Sequence, residues 1–379
     1  MQPSPEAPVI LDGVVLVEGA TIAAVGSRAD VRVPAGATVI DCAGGTVTAG
    51  FWNSHVHFTQ PVWSEPATAP AQRLADALRT MLTSYGVVRA LDTGSFPGVT
   101  GALRRRIDSG EIAGPLIMSA GGSFVPQGGS PYYVLPARLP ELTHVPATVT
   151  IVDAVLDGGV DGIKLFTGSW ATQRSIVVMP LELVRAATET AHRRGKFVIA
   201  HPSNSAGARA AIEGGVDILA HTFPSELDRG PWDRALPGMM IERRMALVPT
   251  LKLFPYELRK LGLPPAVSEI VLGRAQEQLR AFADAGGQIL FGTDVGYMTD
   301  YDPTDEYVFM QGAGLSYARI LAALTTAPAA RFGAAARAGR LAPGHAADLV
   351  VVDGDPGRDI RALGKVRYTV RAGGILYAR

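Results

Sequence analysis

An α/β fold, specifically a closed (β/α)8 TIM barrel carrying a small β-sandwich built from both termini, is predicted by three features of the sequence. Stretches that read as helix stop at Gly and lead at once into short apolar strands, and this unit recurs along the chain. Potential metal ligands fall at the far ends of those strands, where barrel enzymes gather their active groups. Residues 9–48 instead carry short β-branched runs punctuated by Gly, Asp and Pro, the pattern of a small antiparallel β unit. With 379 residues the chain is long enough for one barrel and a modest appendage. The expected partition is 1–48 for the N-terminal part of the sandwich, 49–337 for the barrel and 338–379 for the C-terminal part.

Composition narrows the function classes. Lys and Arg number 35 against 35 Asp and Glu, and basic runs are lacking, so neither nucleic acid nor an anionic membrane is the expected partner. A small molecule is, and a homo-oligomer is left open. A hydrophobic share of 47% with 43 Gly and 27 Pro fits a folded chain with a large core and many tight turns. The single Cys42 excludes an intrachain disulfide and a cysteine-based zinc site. Residues 1–12 do not show a basic segment followed by an apolar one, and apolar runs fall short of a membrane span, so a cytoplasmic location is expected.

Taken in order, Val9–Leu11, Gly13–Val17, Thr21–Val25 and Ala37–Asp41 read as short strands. From Ala49 the rhythm becomes strand, loop, helix. The first barrel strand carries Phe51-Trp52-Asn53-Ser54-His55-Val56-His57, and because side chains alternate along a strand, His55 and His57 share one face at metal-ligand spacing. Val87–Asp92 and Leu116–Ala120 are buried-strand candidates. Four Gly-led strands follow: Val160–Lys164, Lys196–His201, Val216–His221 and Gln288–Asp294, each ending on or near a ligand-type residue. The helix before the second of these has Pro180 at its start, Leu183, Val184, Ala187 and Ala191 along one face, and Gly195 past its end. His144, in a Pro-rich loop, His192, near a helix end, and His345, in a turn, show no such placement and are expected outside the site.

The ordered set His55-x-His57, Lys164, His201, His221 and Asp294 resembles the amidohydrolase superfamily of metal-dependent hydrolases. Supporting phrases are Thr48-Ala49-Gly50-Phe51, Val248-Pro249-Thr250-Leu251, and the run from Gly339 to Val351, which resembles the family's return into a small β-sandwich formed jointly by the two termini. The family usually has Pro where Ala49 stands and Asp where Asn53 stands. What the resemblance implies is a centre of two divalent ions, most often Zn2+, with His55, His57 and Asp294 on the more buried ion and His201 and His221 on the more exposed one. Lys164 as an ammonium has no lone pair and would repel cations. The resemblance implies that CO2 converts it to a carbamate spanning both ions; a Schiff-base lysine, making the protein a lyase, and a structural lysine are the competing readings.

The same resemblance implies hydrolysis of an amide-type C–N bond in an N-acyl amino acid, dipeptide, cyclic amide or carbamate, with Asp294 as the catalytic residue that moves the proton of the attacking hydroxide. Deaminases of the superfamily place a Glu a few residues after the histidine of strand five. Here Pro202-Ser203-Asn204-Ser205-Ala206-Gly207 follows His201, which lowers deamination, whereas lactone, ester or phosphotriester cleavage stays open. Candidate substrate contacts are Tyr132 and Tyr133 in the long segment from Gly121 to His144, Trp170 and Arg174 after Lys164, and Tyr297 after Asp294.

Overall fold

The computed structural model describes residues 1–226 and 230–379. Eight strands, β1 (Phe51–Val56), β2 (Val87–Asp92), β3 (Leu116–Pro126), β4 (Gly162–Phe166), β5 (Phe197–His201), β6 (Ile218–Ala220), β7 (Ala246–Val248) and β8 (Gln288–Ile289), lie side by side in chain order. Every neighbouring pair is parallel, and helices fill the connections, giving a TIM-barrel-like α/β fold. The chain just past β8 returns to β1: Ser54 N donates to Phe291 O at 2.7 Å, Asp294 N to His55 O at 2.9 Å and His57 N to Val295 O at 2.8 Å. This seam places Asp294 against the two histidines of β1.

Period-two alternation decides what each strand offers to the inside. Ile163 and Leu165 of β4 pack in the large cluster shared with the surrounding helices, so Lys164 between them points the other way. In β5, Ile199 joins an inner cluster with Leu91, Ala120, Ile218, Ala220, Ala246, Val248 and Leu290, and His201, two residues on, shares its side. One anticipated helix spans Leu181–Arg193, burying Leu183, Val184, Ala187 and Ala191, and Gly195 follows in the left-handed region at φ 65°. Gly at that position carries no Cβ penalty.

Both termini contribute to an antiparallel sheet in which Gly45–Ala49 pairs with Leu349–Asp353, followed by Val366–Arg371 and Gly374–Ala378. A separate hairpin, Gly13–Glu18 with Thr21–Ser27, joins this unit through Ile22 N to His345 O at 2.8 Å and through a cluster of Met1, Ile22, Ala49, Leu341, Ala347, Leu349 and Val370. Arg89 of β2 reaches Asp348 at 3.0 Å, tying barrel to sheet. Two expected strands are absent: Val9–Leu11 and Ala37–Asp41 are irregular, with Leu11 83% and Val39 72% exposed. Their β-branched residues find no partner strand, and propensity without a packed face does not make a strand. β3 is also longer than expected, running on to Pro126 because Val125 and Pro126 pair with Glu141 and Leu142.

Candidate metal centre

The strand ends converge as their spacing requires. His57 Nε2 lies 2.8 Å and His55 Nε2 3.3 Å from Asp294 Oδ1, and ligand atoms of these three residues all fall within 4.8 Å of one another. The ring of His221 sits 4.6 Å from that of His55, and His201 lies 4.7 Å from His221. Lys164 is buried, its Nζ 5.6 Å from the centre of the Phe166 ring, which in turn stacks on His201 at 4.8 Å. All six predicted residues therefore meet at one end of the strands, and the ion-sized group among the described residues is the trio His55, His57 and Asp294.

Backbone geometry at the site is unusual. His221 (φ 71°), Asp294 (φ 63°), Thr250 (φ 45°) and Ser203 (φ 58°) all sit in the left-handed region, which costs a non-Gly residue on the order of 1–3 kcal/mol and persists only where surroundings enforce it. Gly296 shows how tightly they do so: a Cβ there would lie 1.7 Å from His57 O, so only Gly lets the chain after Asp294 pass β1.

The electrostatics suit a cation. Burial first, then the charge of Lys164, lowers the pKa of His55 to about 3 and of His201 to about 3. His221 is driven down by burial and by its neighbours His55 and His201. Burial opposes the charged Asp294, but His55 and His57 together hold its carboxyl well below the ordinary range. At neutral pH His55, His201 and His221 thus offer unprotonated imidazoles and Asp294 an ionised carboxylate, the forms that bind metal. His55 Nδ1 is buried without a hydrogen-bond partner, a condition costly to an isolated protein and relieved by a ligand. This donor set fits a divalent ion. Burial also lowers Lys164 to about 8, against the opposing pull of Asp294 and Asp92, leaving an amine unusually ready to lose its proton.

A stability test follows from these shifts. An unfolded histidine titrates near about 6.5. Between about 6.5 and 3 the unfolded chain takes up protons that folded His55 and His201 refuse, so stability rises with pH across that window and levels off above it. Asp294 adds in the same sense, because its contribution is lost as pH falls through its lowered folded value. Each histidine contributes on the order of 1.4 kcal/mol per pH unit within the window. Thermal melts of the metal-free protein should show a markedly lower Tm at about pH 5 than at about pH 7.5; an equal or higher Tm at the acid end would contradict neutral buried imidazoles.

Partner residues hold these side chains in place. His221 Nδ1 lies 2.5 Å from Thr250 Oγ1, His201 Nε2 3.0 Å from Ser203 Oγ, and Ser95 Oγ accepts from Phe58 N at 2.6 Å beside His57. Ser95 Oγ in turn donates to Asp92 at 2.7 Å, a fully buried carboxylate. Asn53, at the departure from the family pattern, bridges β1 and the β8 loop through Thr293 Oγ1 at 2.7 Å. Thr250, Ser203 and Asp92 were not predicted from the sequence; the signal available for Asp92 was its place at the end of a buried strand.

The expected substrate contacts divide. Tyr132, Tyr133 and Tyr297 form a run of edge-on rings at 5.4 and 5.7 Å, and burial raises the hydroxyl pKa of Tyr133 and Tyr297, with the Asp294 charge adding to both. Lys260 caps this run, its Nζ 5.1 Å from the Tyr297 ring. Trp170 and Arg174 lie instead on and beside a hairpin, Gly168–Thr172 with Ser175–Val178, and Arg174 is exposed. His144 accepts from Ala147 N at the start of a helix and His192 pairs with Asp217 at 2.8 Å, both structural roles.

Comparison with known proteins agrees with this geometry: the family model of the Amidohydrolase family matches residues 46–376. The chain belongs to the amidohydrolase family. Ochratoxinase of Aspergillus niger is 24% identical to this amidohydrolase over 362 residues, 82% of this chain and 71% of that protein. An uncharacterized protein of Mycobacterium tuberculosis is 27% identical over 166 residues, and the match spans 41% of this chain and less than half, 43%, of that relative. Among solved structures, the putative prolidase from Bifidobacterium longum superposes with a TM-score of 0.79 at 28% identity, covering 96% of this chain and 88% of that one.

Proposed function

We propose that this amidohydrolase is a metal-dependent hydrolase of amide-type C–N bonds in small molecules. The observation that carries the reading is the convergence of His55 and His57 on the buried Asp294, at 3.3 and 2.8 Å, with His55 Nδ1 left without a partner. His55, His57 and Asp294 would hold one divalent ion and His201 and His221 a second, with Zn2+ suited to this nitrogen and oxygen donor set. Lys164, as a CO2-derived carbamate, would join the two. When bound, such ions supply a hydroxide at neutral pH and polarise the scissile carbonyl.

The chain's own groups do the rest. Asp294 accepts the proton of the attacking hydroxide and passes it to the leaving nitrogen. Tyr133 and Tyr297 stay protonated and wall one side of the site with rings that exclude water; the Tyr297 hydroxyl is held by Glu257, which leaves the Tyr133 hydroxyl to donate to a substrate. In the proposed organisation residues 49–337 form the catalytic barrel, and 1–48 and 338–379 form a small β-sandwich beside it. No helix among the described residues is long and apolar enough to cross a membrane, and a cytoplasmic enzyme is the proposed setting.

The test is a screen of N-acyl amino acids, dipeptides, cyclic amides and carbamates against protein loaded with Zn2+. Hydrolysis of at least one class, lost on chelation and regained on reloading, is expected. Turnover that survives chelation and is trapped by borohydride would favour the lyase reading of Lys164.

A further inference from the structure

Glu306 lies in the helix Thr304–Gly312 and is fully buried. Both oxygens of its carboxylate accept main-chain N–H groups: Oε1 from Leu251 at 2.9 Å and Oε2 from Lys252 at 2.7 Å. Those two amides follow Thr250, the residue held at φ 45° after β7. Lys252 is pinned as well, its Nζ 2.9 Å from Asp300 Oδ2. Thr250 has one hydroxyl proton, and its Oγ1 donates to Pro249 O at 2.9 Å. With that proton on Pro249 O, Thr250 Oγ1 is the acceptor and His221 Nδ1–H the donor in their 2.5 Å contact, the arrangement that leaves the lone pair on Nε2 and that the ring-nitrogen measurement below tests.

We propose that Glu306 is a positioning residue: by gripping the amides of Leu251 and Lys252 it fixes the left-handed turn at Thr250, and Thr250 fixes the tautomer and ring angle with which His221 meets a metal ion. The inference rests on His221 being a ligand, as proposed above. A partner that orients a ligating histidine typically contributes about 10- to 100-fold in metal affinity. Glu306 acts on the same contact from a different barrel connection, so its effect and that of Thr250 are one effect and not two.

The experiment measures Zn2+ affinity by chelator competition in the wild type, Thr250→Ser, Thr250→Val, Glu306→Gln, the Thr250→Val/Glu306→Gln double variant and His221→Ala, with the His221 tautomer followed by ring-nitrogen NMR in the metal-free protein. Expected are a loss of about 10- to 100-fold for Thr250→Val and for Glu306→Gln, near wild-type affinity for Thr250→Ser, and a double variant about as weak as the weaker single one. The Nδ1–H signature should be lost in Glu306→Gln. Losses that multiply in the double variant, or a Glu306→Gln protein that melts earlier yet binds Zn2+ and keeps the tautomer as the wild type does, would overturn the relay. Wild-type Zn2+ binding by His221→Ala would instead overturn the ligand assignment beneath it. Should Glu306→Gln not fold, Glu306→Asp serves, since a shorter carboxylate cannot reach both amides.

Discussion

The Asp294→Asn variant is expected to keep much of its bound metal and to lose about 10²- to 10⁴-fold in kcat, the range that a positioned proton-transfer group contributes. Asn preserves shape, and its amide oxygen can still face His55 and His57 across the 2.8–3.3 Å now spanned by Asp294 Oδ1. It cannot accept a proton near neutral pH. The carboxylate is also the group whose pKa His55 and His57 hold down, so the variant should alter the pH–rate profile as well as its height. An acid limb set by protonation of Asp294 is the expected wild-type behaviour, and it should disappear or move in the variant. A variant with near wild-type turnover would remove Asp294 from proton transfer and leave it a ligand alone.

Replacing Lys164 by Met is the second large perturbation. Met fills similar apolar volume next to Phe166 and removes the amine. If that amine carries CO2 and bridges two ions, the variant should retain less metal per chain and lose at least about 10²-fold in rate, the scale of removing one preorganised charged group from such a site. Metal loading of the wild type should in addition depend on bicarbonate, because an amine with a pKa of about 8 is substantially unprotonated and nucleophilic in mildly alkaline solution. Full activity and full metal content in Lys164→Met would assign this lysine a structural role.

How much of this was legible before the structure depends on the range of the forces involved. His55 and His57 share a face because of strand alternation, a purely local rule, and the structure keeps them together with Asp294. His201, His221 and Asp294 were legible because Gly marks where each helix stops and the following strand is short. Lys164 could be placed, but its depressed pKa arises from burial that no local pattern records. Thr250 and Glu306 are 56 residues apart and meet only through main-chain amides, so residue type gave no sign of the link. Val39 failed as a strand residue for the complementary reason: its β-propensity is real, but the fold gives it nothing to pack against. Among the aromatic candidates, sequence identified rings on loops, whereas the contact between Tyr133 and Tyr297 depends on the fold that brings the segment after β3 beside the segment after β8.

The account stands on the six side chains gripping a pair of ions. Diffraction from crystals grown with Zn2+, recorded on both sides of the zinc absorption edge, addresses that most directly. Two anomalous peaks are predicted, one about 2.1 Å from the nitrogens of His55 and His57 and the other about 2.1 Å from those of His201 and His221, with density from Lys164 Nζ reaching both. Active protein whose crystals show no peak among these residues would contradict the account.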